Sequence, residues 1–117
     1  MNQHEKINYV EFAAVDLEAT KAFFTAAFGW AFTDYGPDYC DFSGEGLDGG
    51  FYRADKRAWA EDGSALVIFW SDDLAETQRK VVDAGGIIST ETFEFPGGRR
   101  FHFTEPSGNE FAVWSDK

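Results

Sequence analysis

The sequence predicts an α+β fold in which one βαβββ unit occurs twice in tandem. Three observations carry this: two amphipathic segments each opened by Asp and closed by Gly, extended runs in the same order around each, and a register that relates them. A shift of 57 residues, the interval from Asp16 to Asp73, superposes the halves. Asp16-Leu17-x-x-Thr20 then falls on Asp73-Leu74-x-x-Thr77, Val10 on Val67, Phe12 on Phe69, Ala27 on Ala84 and Gly29 on Gly86. One such unit cannot cover a whole face of its own sheet, so two units sharing a core is the expected solution. The expectation is a single domain over 1–117, with module one at about 5–55, a polar connector at 55–64 and module two at about 65–117.

Taken in order, INYVEFAAV (7–15) reads as a strand, being rich in aromatic and β-branched residues with partial alternation. Asp16 stands where a carboxylate can accept from the free amides of a first helical turn. The helix expected over 17–28 carries Leu17, Phe24 and Phe28 at helical spacing and stops at Gly29. Extended runs follow at 30–35, 39–43 and 49–54, separated by Gly-Pro-Asp and by a Glu45–Gly50 stretch read as a hairpin turn. The connector DKRAWAEDGS breaks the pattern, and its Trp59 is expected to fold back onto the surface. ALVIFWS (65–71) reads as a buried strand, and Asp73 with Glu76 gives a box-like cap to a helix over 74–84. Runs at 87–95, 99–105 and 110–115 complete the second unit.

Composition narrows the function. Aromatic residues reach 18%, with thirteen Phe and four Trp, which describes a packed globular chain. Ten Lys and Arg face 21 Asp and Glu, a formal charge of −11. That sign repels phosphate backbones and anionic lipid, so neither nucleic acid nor a membrane surface is an expected partner; a neutral or cationic small ligand suits it better. The lone Cys40 cannot form an internal disulfide, the start MNQHEKIN has no apolar run of a signal peptide, and no stretch approaches the roughly 18 apolar residues of a span. A cytoplasmic location is expected.

A doubled βαβββ unit opening with a strand, DLEAT and KAFFTAAFGW resembles the vicinal oxygen chelate superfamily, the group of glyoxalase I, bleomycin-resistance proteins and extradiol dioxygenases. The most specific marks are Phe28-Gly29-Trp30, Gly49-Gly50-Phe51 and Pro106-Ser107-Gly108-Asn109. The resemblance implies a half-barrel sheet around a concave pocket, with the helices on the outer face. It also implies a divalent metal in catalytic members, held by strand residues of that pocket. The places that resemblance assigns to ligands are occupied here by Tyr9, Leu66 and Ala112, with the fourth falling within Phe51–Arg53. Leu and Ala carry no donor atom, so no metal and no other cofactor is expected.

Strand parity selects the candidate site. With Val10, Phe12, Val67, Phe69, Phe101, Phe103, Phe111 and Val113 under the helices, Tyr9, Glu11, Trp70, Arg100, His102, Glu110 and Trp114 face the concavity. Tyr9, Trp70 and Trp114, with Tyr52 or Trp59, would wall it; Glu11, Arg100, His102 and Glu110 would orient a bound molecule. The leading expectation is a metal-free, glyoxalase/bleomycin-resistance-like protein that binds a small organic molecule in an aromatic pocket. The alternatives left open are a lyase or dioxygenase-type enzyme using a divalent metal or Glu11 or His102 as general base, and an interaction protein whose cavity its own side chains fill. Small relatives of this kind close their open sheet edges by pairing or swapping modules, so a homodimer is expected.

Overall fold

The computed structural model describes residues 2–117. The first module runs β1 (Tyr9–Ala14), α1 (Leu17–Phe28), β2 (Phe32–Asp34), β3 (Tyr39–Glu45) and β4 (Leu47–Arg53). The second runs β5 (Val67–Trp70), α2 (Leu74–Asp83), β6 (Ile87–Phe95), β7 (Gly98–Thr104) and β8 (Glu110–Ser115), after a connector with one short 3₁₀ turn at Ala60–Asp62. The tandem βαβββ expectation is therefore the architecture, α+β with two mixed four-stranded sheets. Their orders are β1-β4-β3-β2 and β5-β8-β7-β6, so β1 and β5 are each an edge. In both sheets the first strand pairs in parallel with the last, and the remaining pairs are antiparallel.

The helices begin where the aspartates fall. Asp16 accepts from the Ala19 amide at 3.0 Å and Asp73 from the Glu76 amide at 3.2 Å, each satisfying a donor that the first turn leaves free. Gly29, at φ 74°, ends α1 in the left-handed region, where a side chain would be strained. One local expectation is corrected: Glu45–Gly50 is not a turn throughout. Strand β3 extends to Glu45 and β4 begins at Leu47, leaving only Gly46 between them, and Gly49 and Gly50 lie within β4. Those two glycines are needed for close approach. A side chain at Gly49 would strike the Val10 carbonyl and the Phe42 ring, and one at Gly50 the Tyr39 phenol.

The core is aromatic and shared. Phe24 of α1 is fully buried and touches Trp30 at 4.5 Å between ring centroids, Phe51 of the first sheet at 5.6 Å and Phe111 of the second at 5.4 Å. Phe23, also on α1, packs on Phe103 of β7. One helix thus covers strands of both modules, as a unit unable to cover its own sheet requires.

A polar clasp joins the modules as well. Glu105, at the end of β7, is 2% exposed. Its carboxylate accepts from the Thr20 hydroxyl (2.7 Å), the Ser107 amide (2.9 Å), the Asn109 amide (3.3 Å) and the Asn109 side-chain amide (2.7 Å). Asn109 also donates to the Ala13 carbonyl and accepts from the Ala58 amide, while the Ser107 hydroxyl accepts from the Asp16 amide. No buried side-chain polar atom among the described residues lacks a partner.

Candidate functional site

The residues singled out by parity lie on the sheet faces turned away from the helices, and the structure gathers them into two groups. On the second sheet, register sets Trp70, Trp114 and Arg100 side by side across β5, β8 and β7, with His102 opposite Ala112 in the next row. Arg100 donates through Nη2 to His102 Nε2 at 2.9 Å, and His102 Nδ1 lies 3.3 Å from Glu110 Oε2. A guanidinium has no acceptor, so Nε2 is the unprotonated nitrogen and Nδ1–H is directed at Glu110. Glu110 also accepts from the Ala60 amide and the Ser89 hydroxyl. Beside them opens a pocket of about 450 Å³ bordered by Trp59, Ser89, Thr90, His102, Thr104 and Glu110. Trp70 and Trp114 stand apart from it: the Trp70 indole donates to Asp116 at 2.9 Å and Trp114 packs near Phe95.

On the first sheet Tyr9 and Glu11 meet through a residue that sequence reasoning did not select. The Tyr39 hydroxyl lies 2.5 Å from that of Tyr9 and donates to Glu11 at 2.9 Å, directly over the space that Gly50 leaves free. Burial, then the bonds to Tyr9 and Glu11, push the Tyr39 phenol well above its ordinary range, so it stays neutral and acts as a donor. Trp59 behaves as expected: it lies back on the surface, its indole donating to the Gly108 carbonyl at 2.6 Å, with the Arg57 guanidinium stacked 3.4 Å from its ring centroid.

A third feature was not legible. Between β1 and β5 lies a cavity of about 430 Å³ walled by Phe12, Trp30, Phe42, Leu47, Phe69 and Trp70, with Glu45 its only charged lining residue. Parity had placed Phe12 and Phe69 under the helices as core. They are, but β1 and β5 are both sheet edges, and the seam between them leaves these rings facing open space. Trp30, immediately after the Gly29 stop and stacked between Phe24 and Phe42, was the available signal.

The donors needed for a divalent metal do not converge. Ala112 is fully buried, Leu66 lies just ahead of β5, Tyr9 is engaged with Tyr39, and the free lone pair of His102 faces a cation. Among the described residues no group of three or more His, Cys, Asp or Glu side chains is placed to hold an ion. The residues present do not fit the family's metal.

The model of the Glyoxalase/Bleomycin resistance protein/Dioxygenase superfamily matches residues 6–113. The chain belongs to that superfamily. Among solved superfamily-like folds, a glyoxalase-related enzyme from Fulvimarina pelagi superposes with a TM-score of 0.79 at 18% identity, over 95% of this chain and 88% of that one. TnmS3, an antibiotic binding protein from Streptomyces sp. CB03234, gives 0.69 at 16% identity over 98% of each chain. A lactoylglutathione lyase from Agrobacterium tumefaciens gives 0.69 at 19% identity, over 97% and 96%. None of the curated proteins matches the chain. At these identities the superfamily fold is what is shared, and the fold hosts both lyases and binding proteins. No helix is long and apolar enough to cross a membrane.

Proposed function

We propose that this superfamily member binds a small organic molecule bearing an apolar or aromatic ring, and does so without a metal ion. The observation that carries this is the aromatic cavity of about 430 Å³ on the seam between the modules. Its size and lining are those of a small-molecule site, where flat rings supply area and few polar groups supply orientation. TnmS3, of the same fold, is an antibiotic binding protein, a precedent for ligand binding on this scaffold. The Arg100–His102–Glu110 chain supports the same reading. With Nε2 accepting from Arg100, His102 has no lone pair free to act as base or ligand, so these groups serve to line a polar pocket.

Tryptophan fluorescence and thermal shift with naphthylethanol, a neutral ring probe, test the reading. Binding is expected to the wild type and to be unchanged by chelator. Leu47→Trp, which fills the cavity from the start of β4, should weaken it by about tenfold or more. Failure of the wild type to bind, or full affinity in the variant, would overturn the assignment.

The same reading includes a homodimer in the cytoplasm. Supporting it are the unpaired outer edges of β2 and β6, the exposed Ile87 and Phe93 on β6, and a buried, unpaired Cys40 suited to a reducing compartment. Light scattering should give twice the 13.1 kDa chain mass, and a concentration-independent 13.1 kDa would refute the pairing.

A further inference from the structure

We infer that the bound molecule carries an anionic group, held at the far end of the seam by Lys56 and Arg57; this rests on the ring-binding reading above. A second cavity, of about 320 Å³, shares Val10, Phe12 and Val67 with the aromatic one, so the two adjoin along the β1–β5 seam. Their linings differ in kind. The aromatic cavity has no basic group, whereas the second is bordered by Lys56, Arg57, Tyr52 and Ser64. A ligand spanning them would place its ring among Phe12, Phe69 and Trp30 and its polar end among cations and hydroxyls.

No ion pair with Lys56 or Arg57 occurs among the described residues, whereas Lys21, Arg53 and Arg79 are all paired. Arg57 is also held in place by its stacking on Trp59, which limits the side-chain freedom lost on binding. Lys56 and Arg57 both border this cavity, and from its rim a guanidinium and an ammonium can form charge-assisted bonds to a carboxylate that neutral donors cannot match.

Two acidic groups oppose this. Glu11 borders the same cavity but already accepts from Tyr39, and Asp55 precedes Lys56 on the exposed connector. The net charge of −11 matters less than it first suggests. Charges beyond about 8 Å are largely screened at physiological salt, so the adjacent pair governs the local field. The ligand class is an amphipathic carboxylate: an aromatic or alicyclic ring with an acid on a short spacer.

A matched series of naphthylacetate, naphthylethanol and naphthylethylamine tests this by calorimetry on the intact protein. Naphthylacetate should bind about tenfold tighter than the alcohol, and the amine weakest. The double variant Lys56→Ala, Arg57→Ala should weaken the acid about tenfold, to the level of the alcohol, and the alcohol far less. Raising salt should weaken the acid alone. If the alcohol binds but the acid gains nothing, or the amine is preferred, or the preference survives in the double variant, the anion subsite is wrong while the ring site stands. If none of the three binds, the ring site itself has failed and the subsite falls with it.

Discussion

Glu105→Ala is expected to destabilise the protein by about 3–5 kcal/mol, although the residue lies in no cavity wall and touches no candidate ligand group. The wild-type carboxylate accepts four hydrogen bonds inside the protein. Truncation strands the Ser107 and Asn109 backbone amides and one N–H of the Asn109 side chain where water does not reach, and leaves Thr20 only the Ser107 hydroxyl; each orphaned donor costs free energy. Thermal unfolding should fall by more than about 10 °C. Glu105→Gln is expected to fail as a rescue near neutral pH, because its amide nitrogen would face donors on either side. A fall of less than about 3 °C in the Ala variant would show the clasp to be dispensable.

The pH dependence has a definite sign. Burial is the largest influence on Glu105 and lifts its carboxyl above the ordinary 4.5, only partly offset by the bonds from Ser107, Thr20 and Asn109. A group with a raised folded value contributes its full stability below 4.5 and loses part of it as the pH climbs through the folded value. Glutamine does not titrate. The margin of wild type over Glu105→Gln should therefore narrow as pH rises above 4.5, and a margin that widens would contradict the burial argument.

Phe24→Ala carries a comparable penalty by a different route, about 3–5 kcal/mol from lost burial and the void left behind. Its ring is fully buried and is the common neighbour of Trp30, Phe51 and Phe111, so the loss is felt in both sheets and in the cavity wall. Denaturant unfolding should show the shift, and Phe24→Leu should recover more than half of it by restoring volume. The Ala variant should also lose naphthylethanol binding, since Trp30 loses one of the two rings between which it stacks. Near wild-type stability in the Ala variant would mean that α1 does not bind the modules together.

The fold was readable because it is written in local signals. Asp16 and Asp73 cap helices by chemistry that involves only the next three residues, and alternation alone decides which face of a strand is buried. Parity therefore placed Arg100, His102 and Glu110 on one face, and the structure brings them into contact. Other features depend on contacts between distant segments. Nothing local to Phe12 and Phe69 announces that two sheet edges will leave a seam between their rings, and nothing in Tyr39 signals that its hydroxyl reaches Tyr9 across the Gly50 gap. Glu105 was hidden for the same reason: it closes the extended run 99–105 with nothing local to mark it as buried, and its partner Thr20 is 85 residues away.

The two helices carry matching threonines but satisfy them differently. The Thr77 hydroxyl bonds to Ser71, inside its own module, at 2.7 Å. The Thr20 hydroxyl reaches Glu105 and Ser107 of the other module, and the Asp16 amide at the entrance to α1 also depends on Ser107. The second helix thus satisfies its threonine within its own module, while the first half waits for residues 85 to 96 positions downstream. On a ribosome the first helix would stay incompletely anchored until the turn between β7 and β8 had emerged. The half synthesised first is, in this respect, the half that finishes last.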